Sequence, residues 1–169
     1  PKAHAAVLAI PDLQAEVAAR GQAYGYALLD RVERSARDDD EAELAAGGRL
    51  LDLTCLHSAD GTPLALEHRL IALAAAPQAV EVDFQTLAPG SWLLTSEPWT
   101  EAENRISAIE ADAMAARLLG LKPGAACLCV ERRTWRDGQG VTRVWQTFPG
   151  DRYDLVARFS PAHMKDFRR

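Results

Sequence analysis

CLCVERRTW at 127–135, DGQG at 137–140, VTRVWQTF at 141–148 and PGDRYDLVARFSP at 149–161 follow one another almost without a break. The first and third runs are rich in Val, Thr and Trp, and Asp137-Gly138-Gln139-Gly140 between them supplies the φ > 0 residues that a chain reversal needs. The spacing predicts a β-hairpin. Along its first strand the side chains alternate, with Cys127, Cys129, Glu131, Arg133 and Trp135 on one face and Leu128, Val130, Arg132 and Thr134 on the other. Neither face is wholly apolar. A purely structural sheet would keep one clean apolar face, so Glu131, Arg133 and Trp135 point at solvent, at one another or into a polar cavity.

Immediately upstream, Asp112 to Leu119 is an Ala-rich helix stopped by Gly120, and Lys122-Pro123-Gly124 turns the chain into the hairpin. Glu101 to Ile109 alternates as a strand, with Glu103, Arg105, Ser107 and Ile109 on its more polar face. Pro77 to Pro98 is broken by three proline sites around a Trp-Leu-Leu run, which fits a lid or a short helix, with Ser91 and Trp92 its residues of interest. Arg49 to Ser58 and Thr62 to Ala72 are two further strands, joined at Asp60-Gly61. A three-residue loop there pairs Ser58 with Thr62, Cys55 with Ala65 and Leu53 with Glu67, so Cys55, His57, Glu67 and Arg69 share a side. A two-residue loop sets Glu67 opposite Thr54, away from His57. The sequence ADGT favours the first, because the primed two-residue turn asks φ > 0 of both central residues.

Nearer the start, Asp12 caps a helix running to about Arg20 and stopped by Gly21, and Tyr24 to about Val32 is strand-like. Asp38, Asp39, Asp40 and Glu41 open a second helix that ends at Gly47-Gly48; the helix dipole accounts for that acidic cluster without a metal or partner. Helix, strand, helix, hairpin, lid, strand, helix, hairpin predicts an α+β domain with helices covering at least one face of the sheet.

Composition narrows the function. A chain of 169 residues, 48% hydrophobic, buries a real core and is expected to form one domain over 1–169. No stretch approaches the ~18 apolar residues of a membrane span, and the start PKAHAAVLAI lacks a signal-peptide pattern. A cytoplasmic protein is expected. The first residue, Pro1 rather than Met, points to processing or to a piece of a longer protein. A net charge of −5 has the wrong sign for a surface that grips phosphate backbones. The three cysteines are expected to be reduced, and no CxxC, HExxH or paired His/Cys spacing supports a metal site. No cofactor motif, GxSxG, Walker loop or GxGxxG occurs. Cys55 beside His57 reads as packing before it reads as a nucleophile pair. Glu67 and Glu103, each two residues from an arginine, would be held ionised rather than poised for acid–base work. A cavity with arginines, glutamates and aromatics at Trp92, Trp99, Trp135, Trp145 and Tyr153 suits a small, anionic, partly planar ligand.

The order RRTW, VT, PGDRY, together with VAARG ending at Gly21, LHSADGTPLALEHRLI and PWTEAENRISAIEADAMAARLLGL, resembles the UTRA effector-binding domain of GntR-superfamily transcription regulators, in the branch of the histidine-utilisation repressor. The resemblance covers nearly the whole chain. It implies a chorismate lyase-like fold, a mostly antiparallel sheet flanked by helices, with an effector pocket and a homodimer. Operator DNA would be bound only through an N-terminal winged helix-turn-helix domain that this chain lacks. The ligand-binding positions it implies are Cys55, His57, Glu67, Ser91, Arg105 and Tyr153. Sugar-phosphate-binding relatives carry arginines at the places of Cys55 and His57, so a smaller effector is implied here, urocanate or a similar imidazole carboxylate. Arg105 or Arg133 would pair its carboxylate, and Glu67, His57 or Tyr153 its ring nitrogens. The rival reading is a small chorismate lyase-like enzyme acting on a small carboxylate.

Overall fold

Asp-Gly pairs close both long hairpins in the computed structural model, which describes residues 3–6 and 10–161. The strands are β1 (Ala3–Ala6), β2 (Tyr24–Arg34), β3 (Leu50–Ala59), β4 (Thr62–Ala72), β5 (Glu101–Glu110), β6 (Ala126–Arg136), β7 (Gln139–Pro149) and β8 (Tyr153–Val156). The helices are α1 (Leu13–Ala19), α2 (Asp39–Ala45), α3 (Pro89–Ser96) and α4 (Ala113–Leu119), with a 3-10 turn at Pro77–Glu81. Six strands form one antiparallel sheet in the order β2-β3-β4-β7-β6-β5, while β1 and β8 pair in parallel beside it. The fold is α+β.

Local chemistry sets most boundaries. Asp12, Asp38 and Asp112 cap α1, α2 and α4 by accepting first-turn N–H groups, and Gly120 ends α4 in the left-handed region. Helices of seven residues do not hold alone. Burial of Leu13 and Val17 among Val130, Phe148 and Tyr153 holds α1, at about 1.5–3 kcal/mol for each aliphatic side chain. Likewise, Leu93 of α3 enters a cluster with Leu53, Ile71 and Phe84, and Ala115, Ala116 and Leu119 of α4 pack on Leu66. Thus α1 and α3 lie over one face of the sheet and α4 over the other. The segment expected to be irregular is the 3-10 turn followed by α3, and Arg31 fixes its start by donating to the carbonyls of Ala79, Val80 and Val82.

The β3–β4 register differs from the expected one. Asp60 and Gly61 form a two-residue turn with φ of 49° and 77°, so the primed geometry set aside from sequence is adopted. Asp60 tolerates it because its carboxylate accepts from the Ala23 N–H while its own N–H donates to the Ala23 carbonyl. A bulge at Leu64 then adds one residue, giving His57 opposite Ala65, Cys55 opposite Glu67 and Leu53 opposite Arg69. Two single-residue effects cancel in parity. Cys55, His57, Glu67 and Arg69 therefore share a face as expected, although none has the expected cross-strand partner.

At the far edge of the sheet, Arg34 donates through two nitrogens to Glu41 at 2.6 and 2.9 Å and through Nε to Asp52 at 2.8 Å, tying α2 to β2 and β3. The Arg34 hydrogen bonds hold the Glu41 carboxyl down at about 2 against the opposing effect of burial. An unfolded Glu titrates near about 4.3, so this clamp contributes fully above that pH and is lost as pH falls toward 2. Melting temperature followed by circular dichroism should fall across that window, and Glu41→Gln should both lower it at neutral pH and flatten the acid limb. An acid limb unchanged in Glu41→Gln would remove the clamp from the account.

Candidate ligand-binding site

A hollow opens between the inner face of the sheet and the layer formed by residues 10–14, the first turn of α3 and Trp99. Four strands contribute its polar floor: His57 from β3, Glu67 and Arg69 from β4, Thr142 and Gln146 from β7, and Arg132 and Thr134 from β6. Tyr24 of β2 closes one side. Gly90 lets the lid come close, since a Cβ there would stand 3.2 Å from a terminal nitrogen of Arg69. Asp12, the cap of α1, accepts from the Ser91 hydroxyl at 3.3 Å, which joins the lid to α1 across the mouth.

Glu67 is the hub of this floor and is 1% exposed. Its Oε1 meets His57 Nε2 at 3.1 Å and accepts from Gln146 Nε2 at 2.9 Å, while Oε2 accepts from Arg69 Nε at 2.9 Å. Burial alone would raise its pKa; the Arg69 charge and the His57 contact outweigh it, holding the carboxyl far below the ordinary range. An ionised carboxylate only accepts, so His57 carries its proton on Nε2, and in the neutral ring Nδ1 accepts from the Tyr24 hydroxyl at 2.7 Å. Tyr24 is pushed up by burial and stays protonated. Arg69 spends a further donor on Thr142 Oγ1 at 3.2 Å.

Arg132 has no such ion pair among the described residues. It is 4% exposed, its Nε donates to Asn104 Oδ1 at 2.7 Å, and its two terminal nitrogens find no hydrogen-bond acceptor or carboxylate partner among the described residues. Burial, then the like charge of Arg69, pull its pKa down to about 10, so it is still a cation at neutral pH. Glu67 and Arg69 neutralise each other, and Asp12 is engaged at the mouth with the α1 amides and Ser91. Glu67 and Glu16 attract Arg132 only at longer range, so Arg132 is the cation of the wall without an ion pair among the described residues. A buried, unpaired guanidinium is costly unless something anionic meets it.

Of the residues expected to bind a ligand, His57, Glu67 and Ser91 line the hollow. Cys55 lies beneath it, fully buried with its Sγ 3.4 Å from the Tyr26 hydroxyl and its thiol pushed up by burial to about 12. Tyr153 is in the core, stacked on Phe148 with ring centroids 3.7 Å apart. The structure does not bring Arg105 or Arg133 to the hollow. Arg105 is exposed on β5 opposite Glu131, and Arg133 is on the outer face, 3.5 Å from Glu131 and 3.8 Å from Asp40. Strand alternation reverses direction with each residue, and the inward arginine of the RRTW run is Arg132. Sequence reasoning also missed Tyr24, Thr134, Thr142 and Gln146. The signal available was the alternation Thr142, Val144, Gln146, Phe148, whose two polar members interrupt an otherwise apolar inward face. Of the aromatics proposed for a planar ligand, Trp99 reaches the hollow, while Trp92 packs edge-on against Phe84 and Trp145 lies on the outer face between His68 and Arg143. Among the described residues no group of three or more His, Cys, Asp or Glu side chains is placed to hold a metal, and no helix is long and apolar enough to cross a membrane.

The model of the UTRA domain matches residues 19–154. The chain belongs to the UTRA domain family. It is similar to the histidine utilization repressor of Pseudomonas putida, 32% identical over 162 residues that cover 95% of this chain and 65% of that protein. The histidine utilization repressor of Klebsiella aerogenes is 28% identical, covering 94% of this chain and 67% of its own length. This UTRA chain thus spans about 65% of the length of the first of those relatives. Among solved structures, the C-terminal domain of the histidine utilization repressor from Pseudomonas syringae superposes with a TM-score of 0.73 at 29% identity, over 82% of this chain and 99% of that one. The effector domain of PhnF from Mycobacterium smegmatis, 20% identical, shares the fold with a TM-score of 0.80 over 93% and 99% of the two chains.

Proposed function

We propose that this UTRA domain is the effector sensor of a cytoplasmic bacterial transcription regulator of the GntR/HutC type, a repressor that releases or alters its grip on operator DNA when a small anion fills the hollow. The observation that carries the reading is Arg132, a buried cation on the wall of the hollow with no ion pair among the described residues, attracted by Glu67 and Glu16 only at longer range. A carboxylate docked on its terminal nitrogens would restore a charge-assisted pair inside a low-dielectric pocket. The resemblance to histidine utilization repressors makes urocanate, an imidazole-bearing carboxylate, the effector of choice. Glu67 argues against an enzymatic role, because three donors hold it ionised and leave it no proton to give. Signal would pass through α1, whose cap touches the lid, to a DNA-binding domain on the N-terminal side, in a homodimer. The edge strand β5 exposes Ile106 on one face and, on the other, Ile109 beside Met114 of α4, which gives a second copy apolar surface to bury. Titration calorimetry with urocanate and related imidazole carboxylates should show saturable, one-site binding; no heat across the set would remove that ligand class. A monomeric mass by light scattering would remove the dimer.

A further inference from the structure

Gln146 is 4% exposed and lines the hollow, yet its amide is only half used. The Nε2 group donates to Glu67 Oε1 at 2.9 Å. That orientation is forced: Glu67 is an ionised acceptor, so turning the amide over would set two oxygens against each other. The carbonyl oxygen Oε1 is consequently directed away from Glu67, and it is buried with no donor among the described residues. The neighbouring donors that do have partners are turned elsewhere, Arg69 Nε to Glu67, one Arg69 terminal nitrogen to Thr142, and His57 to Glu67. A buried carbonyl without a donor is an uncommon arrangement that calls for an explanation.

Geometry relates this acceptor to the free cation. On the shared inward face, Val130 is opposite Gln146 and Arg132 is opposite Val144, which makes Arg132 and Gln146 diagonal neighbours on adjacent strands, about 7–8 Å apart at the backbone. A small molecule long enough to span that gap would meet both. We infer that Gln146 is a specificity-determining residue, and that the hollow selects small carboxylates carrying an N–H donor on the side away from the carboxylate. Arg132 takes the anion and Gln146 Oε1 takes the N–H. Anions without that donor, phosphate and simple carboxylates among them, leave the carbonyl desolvated and unpaired, and they bind correspondingly worse. The Tyr24 hydroxyl oxygen, which keeps a lone pair after donating to His57, is a second acceptor on the same wall. The inference rests on the anion-sensing reading above.

The test compares urocanate with 3-(2-furyl)acrylate, which keeps the planar acrylate but has no ring N–H. Working at pH 8, above the ordinary imidazole pKa of about 6.5, keeps the ring neutral. The wild-type domain is expected to bind urocanate about ten- to a hundredfold more tightly. Gln146→Met, close in volume and lacking the acceptor, is expected to bring the two ligands to similar affinities, chiefly by weakening urocanate. Equal affinities in the wild type, with both ligands bound and both weakened by Arg132→Met, would overturn the selection by Gln146 and leave the anion sensor standing. Failure of both ligands to bind the wild type would overturn this inference together with the choice of urocanate as effector. A preference kept in full by Gln146→Met would also overturn the role given to Gln146. The wild-type comparison stands on its own whatever the substitution does to folding, and Gln146→Leu provides a second variant of different shape.

Discussion

Arg132→Met is expected to weaken binding of an anionic effector by about 2–5 kcal/mol, the cost of removing one partner of a buried, hydrogen-bonded charge pair. Calorimetry or ligand-induced thermal shift reads that loss directly. The unliganded protein should behave in the opposite sense. Arg132 is buried with, among the described residues, only Nε hydrogen-bonded, and burial pulls its pKa down to about 10, a sign that the fold is unfavourable to the charge it carries. An apolar side chain of similar length removes that desolvation cost, so the melting temperature of the apo variant should equal or exceed the wild-type value. Binding lost while stability is kept marks a residue retained for its ligand rather than for the fold. Arg105→Ala is the control, since Arg105 is exposed on the edge strand and its loss should leave affinity unchanged. Arg132→Met binding as the wild type does would place the anion elsewhere, and an affinity lost in Arg105→Ala would restore the arginine that the family resemblance implied.

Glu67→Leu should have the largest effect on stability. It leaves Arg69 buried without its carboxylate, together with unpaired donors on His57 and Gln146. Breaking a buried pair from one side costs about 3–5 kcal/mol, or a fall in melting temperature on the order of 10 °C for a domain of this size. The pH dependence follows from the direction of its shift. Folded Glu67 has a depressed pKa, so its contribution is whole above the ordinary glutamate range and disappears as acid protonates the unfolded chain first. Stability of the wild type should therefore decline below about pH 4.3, and this variant, already destabilised at neutral pH, should lose part of that slope. The remaining slope belongs to Glu41. A variant as stable as the wild type would mean that the relay from Tyr24 to Arg69 is not a structural unit. Because the carboxylate also orients Gln146, the milder Glu67→Gln should blur the discrimination between urocanate and its furan analogue even where it folds.

Much of this architecture was legible in the chain because it depends on neighbours in sequence. Asp12 and Asp112 accept first-turn amides, Gly21 and Gly120 adopt left-handed backbone where helices stop, and Asp-Gly pairs reverse both hairpins. The sharing of one face by His57, Glu67 and Arg69 was legible too, although by parity alone: the true turn is one residue shorter than expected, and the bulge at Leu64 shifts the register by a second residue in the same direction, which restores the face but not the partners. Such a bulge has no signature in a run of Leu and Ala. It forms because α1 and the facing strands need Leu64 and Ala65 both buried in succession.

Alternation along β6 separates Arg132 from Arg133 with certainty, but by itself it cannot tell inside from outside. That choice is made by distant elements. Residues 10–14 and α3 roof one face, and α2 offers Asp40 to Arg133 on the other. Sequence by itself determined the elements and which side chains travel together; the tertiary structure decided which set is enclosed, because enclosure depends on what the rest of the chain folds over it. An arginine becomes a sensor only once water has been taken away from it.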